Sequence, residues 1–203
     1  MSMLRGIAAR VLVLGLVALL AACGGNSTIP ENHYYRLGVA APTTHAAKKL
    51  VGVIEVDRLL STGALSQRAI VYRFRDNPHQ LLAYHYHFWN DAPGEMMQGE
   101  LVSYLRATGI ASEVVTPEMR APPDYAVSGR VTKLERVVGG APEGAIELTL
   151  VFRRISDNQV LFSKTYSRMV TPKDESLTAL VVAFSAAAGD IFKDFVGDIA
   201  KSL

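Results

Sequence analysis

The 203-residue sequence predicts a single α+β domain, a mostly antiparallel sheet with two helices packed on it. Three observations lead there. Tyr125 to Val138, Ala145 to Ile155 and Val160 to Val170 are long strand candidates separated by turn chemistry. Leu177, Leu180, Val181, Phe184, Ala188, Ile191, Phe192, Phe195 and Ile199 trace one stripe of a long amphipathic C-terminal helix. A shorter stripe, Met97, Leu101, Tyr104, Leu105 and Thr108, marks a second helix.

In chain order, His33 to Leu37 reads as a short aromatic strand, and Ala40 to Lys49, with Pro42, as a loop. Lys49 to Val56 is an apolar, β-branched run that suits a buried strand, while Arg58 to Ser66 has no clear period. Ala69 to Phe74 and Leu81 to Phe88 flank the turn sequence Asp76-Asn77-Pro78 and form a hairpin. Pro93-Gly94 opens the first helix, and Gly109 stands at its expected C-cap. Ile110 to Val115 is a short strand, and Thr116 to Asp124, with Pro117, Pro122 and Pro123, a loop. Gly139 to Gly144 and Ser156 to Gln159 are turns, so the three long strands that they join should form an antiparallel meander. Along the middle strand Ile146, Leu148, Leu150 and Phe152 alternate with Glu147, Thr149, Val151 and Arg153, which marks one buried face.

The N-terminus carries a different signal. Arg5 and Arg10 precede a short apolar run, Val11 to Leu20, and then small residues. This is the pattern of an export signal, and the run falls short of the about 20 residues of a membrane span. Leu20-Ala21-Ala22-Cys23 is a lipobox, with Cys23 the only cysteine in the chain. Export permits disulfides, but a lone cysteine has no partner in its own chain, and lipidation explains it better. The expected organisation is a signal peptide over residues 1–22, a lipidated tether over 23–32 and a folded domain over 33–203. Two or more acyl chains, at ~0.8 kcal/mol per buried CH₂, make a durable anchor without a spanning helix. Gly24, where an Asp would favour inner-membrane retention, points to the outer membrane with the domain facing the periplasm. Removing the signal lowers Lys+Arg from 21 to 19 against 19 Asp+Glu, so the mature chain is formally neutral and no nucleic-acid partner is indicated.

Motifs for chemistry are sparse. His85 and His87 lie two apart in a strand and would share a face, with His79 across the turn, but no carboxylate or cysteine pattern completes a metal site. There is no Gly-x-Ser-x-Gly elbow, and Gly139-Gly140 lacks the Lys-Ser/Thr of a phosphate loop. Asp190, Asp194 and Asp198 recur at helical spacing on the polar side of the last helix and read as a solvated face. No metal, no catalytic residue and no enzymatic activity are expected. The aromatic run Tyr84 to Trp89 has two readings: a partner-binding edge carried by Tyr84, Tyr86 and Trp89, or a core face capped by Trp89. Tyr34-Tyr35 could dock the tether's end on the sheet as an edge strand.

Four features, in order, resemble the ABC-type transport auxiliary lipoprotein family, which includes paraquat-inducible-type outer-membrane lipoproteins. A lipobox cysteine and tether precede Tyr34-Tyr35-Arg36-Leu37. The strand Val51 to Val56 leads to Gln67-Arg68-Ala69-Ile70-Val71-Tyr72-Arg73. His87-Phe88-Trp89-Asn90-Asp91-Ala92-Pro93 stands before a helix, and a strand meander and long helix close the chain. Phe88 departs from the pattern, where a basic residue would be expected. The resemblance implies a non-enzymatic adaptor that partners a mammalian-cell-entry-domain protein and ABC transporter subunits in intermembrane lipid transport, as a homo-oligomer such as a ring of copies in one arrangement. It implies no cofactor beyond the diacylglyceryl and N-acyl lipid on Cys23. The alternative is a standalone lipid- or amphiphile-binding envelope lipoprotein that holds ligand between helix and sheet.

Overall fold

The computed structural model describes residues 30–46 and 48–202, so the expected signal, Cys23 and most of the tether lie outside the described residues. Eight strands form one sheet: β1 (His33–Tyr35), β2 (Val53–Val56), β3 (Ala69–Phe74), β4 (Leu82–Trp89), β5 (Glu113–Val115), β6 (Tyr125–Val138), β7 (Glu143–Arg154) and β8 (Val160–Val170). Two α-helices, α1 (Pro93–Thr108) and α2 (Leu177–Lys201), touch each other and pack on the sheet. Short 3-10 turns at Gly63–Ser66 and Pro117–Met119 complete the described elements. The α+β class and the two helices on one sheet are as the sequence predicts.

The sheet is mixed, not purely antiparallel, although its longest ladders are antiparallel. β3–β4, β6–β7 and β7–β8 are antiparallel, while β1–β4, β2–β5, β2–β6 and β3–β6 are parallel. Hairpins announce themselves in the residues of their turns. A parallel pair is joined by a long crossover that leaves no such local mark. Here β2, then Leu60 and then β3 follow the same edge of β6 in one direction: Ile54 pairs with Tyr125, Leu60 bridges to Arg130 and Val71 pairs with Glu135. The aperiodic stretch from Arg58 to Ser66 is the excursion between these contacts.

Both amphipathic stripes are core. All nine α2 stripe residues and all five α1 stripe residues are buried, and Phe184, Phe192, Phe195 and Phe152 of β7 have no accessible surface. Gly129, Leu148 and Leu150 sit on this face of β6 and β7, as does Gly144, where a β-carbon would strike Leu180 and Phe184 of α2. The α2 N-terminus is capped by Ser176, whose Oγ accepts from the Ala179 N–H at 3.1 Å. Gly109 ends α1 in the left-handed conformation, at φ 64°. Pro93 and Gly94 do more than start α1: a β-carbon at 94 would collide with the Leu59 carbonyl oxygen, so the helix N-terminus lies directly on the chain beside β6.

The acidic positions of α2 are not simply a solvated face. Asp194 pairs with Arg168, and the Asp198 carboxylate accepts from Lys164 Nζ at 2.6 Å and from the Tyr166 hydroxyl at 2.8 Å, both on β8. Burial on its own would raise the Asp198 carboxyl, but the hydrogen bonds from Lys164 and Tyr166 outweigh it and hold the group below the usual carboxylate range. Burial, with Asp198 beside it, pushes the Tyr166 phenol far above its ordinary value.

Two predictions follow from the packing and this network. Gly94→Ala should destabilise the domain by about 3 kcal/mol, the upper end for overpacking, because the colliding atom is backbone; urea unfolding with an unshifted midpoint would contradict the contact. Since the folded pKa of Asp198 is depressed, its contribution is fully present above the unfolded value near ~3.9 and is lost as pH falls through the folded value. Asp198→Asn should therefore cost about 1 kcal/mol near neutrality and progressively less below about pH 4. A melting-temperature difference that stays constant from neutral to acidic pH would refute this.

Candidate functional site

The aromatic end of the sheet is built by β1, β4 and the start of β3. β1 pairs in parallel with β4, His33 opposite His87, Tyr34 opposite Phe88 and Tyr35 opposite Trp89. Between the pairs Val71↔Ala83 and Ala69↔Phe88, β3 contributes one residue and β4 four, so β4 carries a wide bulge. The bulge breaks the two-residue alternation on which the sequence reading relied. It is Tyr84, three residues away, whose ring packs edge-on to His87 at 5.6 Å, whereas His85 turns to Tyr86.

On the side of the sheet that carries Trp89, a polar aromatic cluster forms. The His33 and His87 rings stack at 5.0 Å, and the Tyr35 hydroxyl hydrogen-bonds His87 Nδ1 at 3.0 Å. Tyr84 packs on Tyr72 at 4.7 Å, and its hydroxyl accepts from Arg136 at 3.1 Å. Burial, and then the neighbouring His33, lower the His87 pKa, which favours the neutral imidazole. On the opposite side Tyr34 packs against Phe88 at 5.8 Å, and the Arg68 guanidinium lies 5.2 Å from the Tyr34 ring centre. Tyr34, Gln67, Arg68, Ala69 and Phe88 line a shallow cleft there.

The expected site residues are thus divided. Trp89 is 1% exposed and packs 6.3 Å from Phe184 of α2, so it is a core residue and not a surface anchor. Its indole Nε1 is buried without a hydrogen-bond partner among the described residues. Tyr84 is half-buried in the cluster just described, and only Tyr86, 44% exposed, is open to a partner. His79 is exposed in the β3–β4 turn. Among the described residues no three His, Cys, Asp or Glu side chains gather as a metal site would require. Cys23 lies outside the described residues. Sequence reasoning missed His33, Arg68 and Arg136. All three fall in or beside segments that the sequence marks as strands, but the role of each depends on a residue more than 30 positions away.

The fold is shared with solved structures. Protein XCC0632 from Xanthomonas campestris superposes with a TM-score of 0.73 at 20% identity, over 83% of this chain and 95% of that one. An uncharacterised protein superposes with a TM-score of 0.65 at 13% identity, over 84% and 99% of the two chains. At these identities the likeness concerns the fold alone. No curated protein sequence is detectably similar to this one. The sequence profile of the ABC-type transport auxiliary lipoprotein component matches residues 35–195, from the second tyrosine of β1 to the last phenylalanine of α2. The match takes in nearly every described element, and the chain belongs to the ABC-type transport auxiliary lipoprotein family.

Proposed function

We propose that this protein is a periplasm-facing adaptor of an ABC transporter of the mammalian-cell-entry type. In this reading it is anchored by lipid on Cys23, in the outer membrane, and docks the transporter's periplasmic component there. The observation that carries the proposal is the order of the chain: a lipobox at Leu20 to Cys23, eleven residues of connection, and then a domain that matches the auxiliary-component profile from residue 35 onward. ATP hydrolysis would belong to another subunit, and this one would act by geometry, holding a docking surface at a fixed reach from the bilayer. Full burial of Phe152, Phe184, Phe192 and Phe195 supports an adaptor over a ligand-holding interior, because the space between α2 and the sheet is occupied by side chains.

Affinity capture of the intact lipoprotein from envelopes should retrieve a mammalian-cell-entry protein together with its permease. Reproducible recovery of lipid with no transporter component would defeat the adaptor reading. The anchor is tested separately by growth with radiolabelled palmitate, where the native chain should take up label and Cys23→Ala none. Absence of label from the native chain would rule out lipidation.

A further inference from the structure

We propose that the cleft of Tyr34, Gln67, Arg68 and Phe88 rests on a phospholipid surface, with Arg68 binding a headgroup phosphate and Tyr34 lying in the interfacial layer. The inference rests on the lipid anchor at Cys23 proposed above and adds to it an orientation of the domain.

The length of chain between anchor and cleft is the first argument. Cys23 and His33 are ten residues apart, and at ~3.3–3.6 Å per residue the connection spans at most about 35 Å in any conformation. Helix α2, with 25 residues at ~1.5 Å each, is itself about 37 Å long. The covalent chain therefore keeps β1 within one domain length of the acylated residue, and Tyr34 is the second residue of β1.

The chemistry of the cleft is the second. Tyr34 is 57% exposed although its ring packs on Phe88, and Phe88 is itself only half-buried. Arg68 donates Nε to the Trp89 carbonyl at 3.1 Å, which fixes its guanidinium over the Tyr34 ring. No acidic side chain among the described residues pairs with it. Of the twelve described arginines, Arg58, Arg73, Arg75, Arg136, Arg154 and Arg168 have a carboxylate partner, and Arg68 is one of the six that do not. Among the described residues, the two terminal nitrogens of Arg68 have no hydrogen-bond partner, and their planar fork matches the oxygens of a phosphate. A tyrosine with an apolar body and a polar tip suits the boundary between headgroups and acyl chains. A protein partner could also use a tyrosine and an arginine; the short covalent path to the anchor favours the membrane.

The test uses the full lipidated chain in vesicles of phosphatidylethanolamine and phosphatidylglycerol that include a nitroxide-headgroup lipid. With the native thiol at Cys23 consumed by lipid, a cysteine introduced as Gln67→Cys can be labelled with an environment-sensitive fluorophore, and Ser156→Cys in the β7–β8 turn serves as the comparison site. Emission from position 67 should be quenched and that from 156 should not. Arg68→Glu should lower the quenching at least about twofold, as expected of one arginine at an anionic surface. Replacing the anionic lipid with phosphatidylcholine, which keeps the phosphate but removes the net negative charge, should lower the quenching by less, without any change to the cleft. Equal quenching at both sites, or quenching at 67 indifferent to both changes, overturns the proposal. So does retained quenching when Tyr34→Ala or Arg68→Glu abolishes capture of the transporter component, since the cleft then belongs to a protein. Failure of the native chain to float with the vesicles removes the lipid anchor itself, and the orientation with it.

Discussion

Strand β6 hydrogen-bonds along both its edges over 14 residues, and the rest of the sheet takes its position from that fact. One edge carries the full length of β7. The other is shared by β2 near the start of β6 and β3 near its end, so everything attached to β2 leaves the sheet at one end and everything attached to β3 at the other. β5 extends the first branch, while β4 and then β1 extend the second. Backbone groups buried at such a junction must be paired, and the Leu60 bridge to Arg130 pairs the stretch of β6 between the two branches. The aromatic end of the domain is therefore a consequence of how the edges of one strand are divided.

The helices turn this forked sheet into a domain with one covered face. α2 buries eleven residues along its length as it packs on β7 and β8, and each of the larger aliphatic and aromatic ones contributes about 1.5–3 kcal/mol if fully buried. Such burial is non-directional, so it does not by itself fix the angle at which α2 lies. The polar links do so. Asp194 and Asp198 reach Arg168 and Lys164 four residues apart on β8, and four residues on a helix match two same-face steps on a strand only in a narrow range of alignments. The Tyr166 hydroxyl, between those two basic residues, adds a buried third point to the same seam.

Much of this was legible in the sequence because the relevant signals are local. The limits of β3, β6 and β8 agree with the residues that alternation and turn chemistry pick out, and both helical stripes are buried in full. What could not be read was set by contacts distant in sequence. Nothing within Val53–Val56 states that its partner is Tyr125 and its neighbours in parallel, and nothing within Tyr84 to Trp89 announces a bulge. The bulge explains why the site was only partly legible: with three extra residues in β4, the alternation that would group Tyr84 with Tyr86 instead groups it with His87, and Trp89 turns inward to Phe184. Trp89 was selected for its chemistry, and its burial is a matter of register.

β1 is where the local and the distant meet. It is the first described strand of the chain, it has three residues, and it pairs with β4 alone. A strand so short gains little from its ladder and depends on its side chains. Those side chains grip both sides of the sheet: His33 and Tyr35 engage His87 on one, and Tyr34 engages Phe88 and Arg68 on the other. Beyond it, Gly38 and Val39 donate backbone N–H groups to Ser185 of α2 and Glu100 of α1, so the chain leaving β1 is fastened to both helices. A pull on the N-terminal connection would thus be shared among β4, α1 and α2 instead of peeling one edge strand.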